Sequence, residues 1–311
     1  MTNWFQTEEC FSFYRSLGFI EPFRCSVERD GVEKGRMVGY IQKDGGKLKQ
    51  FFSRRAIING GPMLADDITE DELTGLLTKC KRELKKKAIY IETRNFDDYA
   101  RYKEIFSRAG YNYEPHYNFH VDTSSIDIVE ANMGKSRKRD VKTSLRDGAF
   151  VVENPTSDEV KDFYRVLEHL YKTKVKTPLF PFSFFERLYR SSFGRFLLVK
   201  YDERIVGGTV CVCGENVMYE WFACGEDGVH KNIYPSTLAT YAGIRYAAEH
   251  GYARFDMMGA GAPNDGGYGV RDFKAKFGGQ LVEHGRFKCV LNKPLYLVGT
   301  LGVKIIKRLK R

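Results

Sequence analysis

The stretch Phe255-Asp256-Met257-Met258-Gly259, followed by Ala260 to Gly269 and then by Arg271-Asp272-Phe273-Lys274-Ala275-Lys276-Phe277-Gly278-Gly279, decides how the rest of the chain reads. Residues 255–258 form the apolar run of a buried strand with one carboxylate, Asp256, inside it. A carboxylate in such a strand needs a partner or a job. It could orient Lys274, accept a proton, or pair with a neighbouring arginine. The glycine-rich segment follows this strand as a phosphate loop would. However, Pro263-Asn264-Asp265 opens a turn instead of a helix, and no G-x-x-x-x-G-K-[ST] is present. It reads either as a plain loop or as one that lets a substrate approach the backbone closely. Phe273 and Phe277 stand four apart with Lys274 between them. That spacing predicts a short turn held by two aromatics. Lys274 then belongs to an exposed basic turn, or it points into a cleft where an ammonium stabilises an oxyanion. Residue types alone leave both readings open.

Outward from this stretch the chain alternates strands and helices. A helix over 237–250 ends at Gly251, and strands are expected over 195–201, 204–212, 217–224 and 281–290. Ser157 is expected to cap a helix over 158–173, and a further helix covers 181–193. In the first half, strands are expected at 36–42, 47–52, 56–58, 88–92 and 117–121. A helix capped by Thr69, with Glu72 three residues on, precedes Lys85-Lys86-Lys87. Residues 97–109 read as another helix. The two halves echo one another weakly in their order of elements, which makes the fold class α/β (α+β) with mixed sheets flanked by helices. The segment 133–146 carries Lys135, Arg137, Lys138, Arg139, Lys142 and Arg146 against a single Asp140, and it reads as a basic helix connecting the halves. The expected organisation is a first domain over 1–130, a connecting helix over 131–149, a second domain over 150–292 and a tail over 293–311.

Composition narrows the function. The chain has 311 residues and a net charge of +10, which favours polyanionic partners or simply solubility. Seven cysteines occur without a C-x-x-C, and no H-x-x-x-H, H-E-x-x-H or G-x-S-x-G is present. The expectation is therefore no disulfide framework, no metal and no serine triad. The start lacks a basic region followed by an apolar run, and no stretch of about 18 apolar residues exists. A cytoplasmic location is expected.

In order, Lys135-Ser136-Arg137-Lys138-Arg139-Asp140-Val141-Lys142, Gly207-Gly208-Thr209, Tyr219 to Trp221, Tyr234-Pro235-Ser236, Phe255 to Gly259 and Phe273-Lys274-x-x-Phe277-Gly278-Gly279 resemble the FemABX family. The likeness is strongest over residues 130–290. Asn59-Gly60-Gly61-Pro62 and Ile91-Glu92-Thr93-Arg94 resemble the family's first domain more loosely. The resemblance implies two GNAT-like (N-acetyltransferase-like) domains. It also implies a bacterial peptidyltransferase that adds amino acids from aminoacyl-tRNA to peptidoglycan precursors in cell wall biogenesis. It places Lys274 at acyl transfer, with Phe273 beside it, and maps the family's strand aspartate onto Asp256. Tyr219, Trp221, Tyr268 and Arg271 are the further substrate-binding candidates. Lys135, Arg137, Lys138, Arg139 and Lys142 are candidates for contact with nucleic acid or precursor.

Two departures matter. CoA-using GNAT enzymes carry a Q/R-x-x-G-x-G/A loop ahead of the central helix, whereas this chain reads Gly228-Val229-His230-Lys231-Asn232-Ile233-Tyr234-Pro235. No long heptad insertion is present, as the coiled-coil arm of the larger members would require. No cofactor is expected, only aminoacyl-tRNA or acyl-CoA as co-substrate. The alternatives are an acyl-CoA N-acyltransferase acting on an amino sugar or peptide, and a non-catalytic module binding RNA or membrane. The tail over 295–311 is amphipathic, basic and free of acids. It suits either packing on the second domain or peripheral contact with the inner face of the plasma membrane, near a lipid-linked acceptor.

Overall fold

A computed structural model describes residues 3–43, 47–175, 177–265 and 269–309, the side chains of 47–49 and 303–309 aside. The chain forms two compact units. One comprises residues 1–116 and 283–311, the other residues 117–282.

The first unit contains α1 (Glu8–Ser16), β1 (Glu21–Arg29), β2 (Val32–Gln42), α2 (Lys47–Ser53), β3 (Arg55–Gly60) and β4 (Met63–Leu64). It continues with α3 (Glu70–Leu84), β5 (Tyr90–Asn95), α4 (Lys103–Arg108) and β6 (Asn112–Glu114). The expected Thr69 cap is present. Its hydroxyl accepts the Glu72 N–H at 3.3 Å, and the Glu72 carboxylate accepts the Thr69 N–H at 2.8 Å. Leu73, Leu76, Leu77 and Cys80 of α3 pack on Cys25, Met37, Ile58 and Ile91 of the sheet.

The second unit contains β7 (Tyr117–Asp122), α5 (Ile126–Asn132), α6 (Lys135–Arg146), β8 (Phe150–Val152), α7 (Ser157–Leu170) and α8 (Phe182–Tyr189). Then come β9 (Gly194–Tyr201), β10 (Arg204–Cys213), β11 (Val217–Gly225), α9 (Pro235–Glu249), β12 (Arg254–Gly259), α10 (Gly269–Ala275) and β13 (Gln280–Glu283). The chain re-enters the first unit with β14 (Arg286–Val290) and α11 (Lys293–Leu309).

The described residues form two seven-stranded sheets, ordered β1-β2-β3-β5-β14-β6 with β4 on β2, and β13-β7-β12-β11-β10-β9-β8. Both sheets repeat one plan: an antiparallel meander, a helix, then a strand parallel to the meander's last. In the first unit that strand, β5, takes the antiparallel β14 from the far end of the chain. In the second, β12 takes the antiparallel β7 from before the meander.

Several expectations change here. The boundary expected near 130 falls inside the second unit, as does the basic helix α6 expected to connect the halves. Residues 47–52, expected as a strand, belong to helix α2, which packs against α11 of the same unit. The tail, for which packing on the second domain is one of two readings, belongs to the first unit. Thr156, not Ser157, caps α7, and α7 passes at its end into a π-helical turn over 171–175. The helix expected over 97–109 is a 3-10 turn followed by the short α4.

Candidate active site

The parallel seam in each unit differs. In the first unit β3 and β5 stay paired from Arg55 opposite Tyr90 to Gly60 opposite Asn95. In the second unit β11 and β12 pair only from Val217 opposite Arg254 to Tyr219 opposite Asp256, after which both strands run on unpaired with each other. Bulges re-aim both strands beyond that point. Trp221 is the extra residue of β11 against β10. Met257 and Met258 together oppose Phe119 of β7, and Met258 adopts φ +57°.

Asp256 holds the second bulge. It is fully buried, and its Oδ1 accepts the Met258 N–H at 2.7 Å. Its Oδ2 lies 3.2 Å from His120 Nε2 on β7. The bulge turns backbone carbonyls toward α10. There the Lys274 ammonium donates to the carbonyl of Met257 and, at 3.0 Å, to that of Gly259. An ammonium has three donors, so two of them are engaged.

Lys274 is buried although it is a lysine, and the turn after it explains why. Phe277 is 1% exposed in the core, with Phe273 at 5.2 Å from it. The Phe277 N–H donates to the Lys274 carbonyl at 3.0 Å. Gly278 has φ +82°, and a Cβ there would stand 2.3 Å from the Asn132 carbonyl oxygen. The Gly134 N–H donates to the Lys276 carbonyl at 2.9 Å, so the junction of α5 and α6 locks the turn. Arg137 of α6 completes the lock, with its guanidinium 4.4 Å from the Phe273 ring and 5.4 Å from the Phe277 ring.

A residue that the sequence reading passed over joins this cluster. Glu220 of β11 is 6% exposed and accepts from Thr209 at 3.3 Å and from Thr240 of α9 at 3.0 Å. Burial pushes its carboxyl above the usual range, an effect that the Lys274 charge and the two hydroxyls partly offset. Burial likewise pulls Lys274 below the usual lysine value, against the pull of Glu220 and Asp256. The signal that could have found Glu220 is the one that found Asp256: a carboxylate in an otherwise apolar strand.

The remaining sequence candidates fall as follows. Tyr219 is buried, at 1% exposure, directly across from Asp256. Trp221 is partly exposed and meets Phe184 edge-on at 5.0 Å. Arg271 donates to the carbonyls of Ala260 and Ala262 and pairs with Asp265 at 2.9 Å. Its donors thus shape the glycine-rich loop of its own chain. Tyr268 lies outside the described residues. Lys135, Lys138, Arg139 and Lys142 are exposed along α6, while Arg137 turns inward.

The N-terminus of α9 is occupied. Its first residue is Pro235, which has no N–H, and the Ser236 N–H donates to the Asp227 carboxylate at 3.1 Å. A Cβ on Gly225 would stand 2.4 Å from that same Ser236 nitrogen.

Residues 132–275 match the family model of the acetyltransferase (GNAT) domain. No curated protein sequence matches the chain. Among solved structures it is similar to FemX, with TM-score 0.71 and 16% identity over 95% of this chain and 94% of that one. It is also similar to an Agrobacterium fabrum domain assigned to a lysylphosphatidylglycerol synthetase, with TM-score 0.62 and 13% identity over 97% of this chain and 92% of that one. A tandem GNAT protein from the clavulanic acid biosynthesis pathway has TM-score 0.58 and 10% identity over 88% of this chain and 84% of that one. The fold is the FemABX-like tandem GNAT fold, and the second unit carries a GNAT acyltransferase domain.

Proposed function

We propose that this FemABX-like tandem GNAT acyltransferase moves an aminoacyl group from aminoacyl-tRNA to an amine of a peptidoglycan precursor. The observation that carries the reading is the open seam between β11 and β12, with a buried ammonium beside it. In this reading the donor ester lies along the parted strands. The acceptor amine attacks its carbonyl carbon directly, the C–O bond to the donor breaks, the proton that the amine loses is delivered to the departing ribose oxygen, and no acyl-enzyme forms. Charge develops on the carbonyl oxygen. The third donor of Lys274 meets that oxygen in a site from which water is largely excluded, where such a contact is strongest. Asp256 acts as a positioning residue, because its Oδ1 holds the bulge that aims the Met257 carbonyl at Lys274. Glu220 is the nearby buried carboxylate whose raised pKa suits it to take up a proton.

The occupied start of α9 supports tRNA over acyl-CoA as donor. A pyrophosphate there would meet the carboxylate of Asp227 in place of open N–H groups. The exposed row Lys135, Lys138, Arg139 and Lys142 on α6 suits a ribose-phosphate backbone. Membrane contact of the tail belongs to the same reading. Leu297, Val298 and Leu301 of α11 and Phe51 of α2 are exposed, at 60%, 52%, 58% and 48%. The sequence over 293–311 adds six basic residues and no acid. An anionic bilayer bearing a lipid-linked acceptor fits that surface.

The test is mass spectrometry of cell-wall precursors incubated with the protein and either charged tRNA or acyl-CoA. A mass gain of one amino-acid residue with charged tRNA alone is the expected result. A gain with acyl-CoA alone overturns the donor assignment.

A further inference from the structure

The first unit holds a cationic pair that the acyl-transfer reading leaves unused. In its sheet Ile91, Phe287 and Cys289 face the α3 core, so Glu92, Arg94, Arg286 and Lys288 lie on the opposite face. The antiparallel register of β5 and β14 sets Arg286 directly across from Arg94. Both strands are interior ones. Like charges directly opposite in a sheet destabilise it, and nothing about strand pairing calls for this arrangement.

The two guanidiniums share one oxygen. Arg94 Nε donates to Glu92 Oε1 at 2.9 Å, and Arg286 Nη1 reaches the same atom at 3.4 Å. Arg286 Nη2 lies 2.8 Å from His116 Nε2. A guanidinium can only donate, so His116 accepts there as a neutral ring and steers Arg286 without cancelling its charge. Lys288 is matched separately by Glu114, at 2.6 Å. Glu92 is thus the one carboxylate in direct contact with both arginines, Glu114 adding its charge from beside Lys288, and burial and the Arg94 charge still push the Arg286 guanidinium below its usual value. Arg94 and Arg286 keep 35% and 26% of their side-chain surface open, while Glu92 beneath them keeps 9%.

We propose that Arg94 and Arg286 form a binding site for a phosphate group, borne by a soluble or a lipid-anchored molecule. Two guanidinium forks converge here. A carboxylate has two oxygens and serves one fork, whereas a phosphate has enough oxygens to meet both. Glu92 holds the forks from below, and a bound phosphate supplies the missing negative charge above. The site stands apart from the acyl-transfer reading, and its test measures binding instead of turnover.

The experiment is calorimetric titration of the full chain with inorganic pyrophosphate at low salt, with acetate as the control anion. Sedimentation with vesicles containing phosphatidic acid is a second arm, which separates a headgroup phosphate from a free one. Saturable binding of pyrophosphate or of these vesicles, without acetate binding, is expected. Arg286→Gln should weaken it about tenfold or more, in line with loss of a charge-assisted pair. Glu92 keeps Arg94 in this variant, and relief of the like-charge pair should leave its Tm in buffer unchanged or higher. A purely structural ion network predicts a lower Tm and no anion effect, and that result overturns the proposal. So does equal binding by wild type and variant. If Arg286→Gln does not fold, Arg94→Gln is titrated in its place, and undiminished pyrophosphate and vesicle binding by that variant overturns the proposal equally.

Discussion

The backbone N–H of Ser236 donates to the carboxylate of Asp227 at 3.1 Å, so the first free donor of α9 is answered within the chain itself. Helix N-termini are ready anion sites only while their N–H groups point at open space. Here Pro235 and Asp227 remove that opening. Acetyl-CoA should therefore give no saturable heat in calorimetry at concentrations up to about 1 mM, a limit corresponding to roughly −4 kcal/mol. Tight CoA binding would show that the Asp227 contact yields to the ligand.

Lys274→Ala should lower kcat by roughly 10²–10³-fold with little change in KM, the loss typical of one oxyanion donor. Lys274→Arg should not restore activity. A planar guanidinium does not replace an ammonium held between two backbone carbonyls in a slot where the side chain is only 9% exposed. A Lys274→Ala enzyme with unchanged kcat would remove the ammonium from the chemistry.

Asp256 separates positioning from proton transfer. Asp256→Asn keeps an oxygen for the Met258 N–H, so kcat should stay within several-fold of wild type. Asp256→Ala leaves that N–H without its acceptor in a buried bulge, which costs about 1–3 kcal/mol of stability. It should lose most activity as well. Denaturant melts and kcat on both variants check this. Loss of activity in Asp256→Asn equal to that in Asp256→Ala would assign the residue a proton instead.

Glu220 and Lys274 give stability a predictable pH dependence. The Glu220 carboxyl titrates above its ordinary 4.5 in the folded chain. Between those two values the native state holds a proton that the unfolded chain has released, so stability falls as pH rises across the window. Glu220→Gln should match wild type below about pH 4.5 and gain in Tm above it, levelling off once the folded value is passed. Lys274 titrates below its ordinary 10.5. Its burial therefore costs stability below the folded value, and the cost fades as pH rises toward 10.5. Lys274→Met should be more stable than wild type at neutral pH, with the advantage shrinking in alkali. Melting curves across pH test both signs.

The exposed apolar row on α2 and α11 predicts sedimentation with phosphatidylglycerol vesicles and none with phosphatidylcholine vesicles. Leu297→Glu combined with Leu301→Glu should abolish it, and added salt should weaken the wild-type interaction. Binding unaffected by the two substitutions would place any membrane contact elsewhere.

Much of this was legible in the residues. The glycine that ends the Lys274 turn, the two phenylalanines that flank it and the lone carboxylate of β12 each imply local geometry, and in the structure Asp256 and Lys274 both bond to the backbone of the β12 bulge. The partners of β7 and β14 were not legible. Alternation along 117–122 or 286–290 specifies a strand and a buried face, but not which sheet receives it. Residues 47–52 misled because Leu48, Phe51 and Phe52 among Lys47, Lys49 and Gln50 make a short half-apolar run between glycines and a strand, and a short helix docked on α11 satisfies such a run equally well. In α6 the row of basic residues concealed the one that matters most locally. Arg137 is chemically like its neighbours, and only tertiary contacts, with the Phe273 and Phe277 rings and the Thr237 hydroxyl, draw it inward.

The placement of β14 between β5 and β6 has a consequence for the chain as it leaves the ribosome. Phe287 stacks on Phe106 at 3.9 Å in the middle of the first unit's core, yet the two are separated by the whole second unit. Until synthesis passes residue 290, the first unit has a gap where an interior strand belongs, and the free edges of β5 and β6 can template wrong pairings. The second unit has no such wait beyond its own length, because β7 is made before its sheet. The second unit should therefore fold first, and the amino-terminal half should close around β14 last, reversing the usual vectorial order.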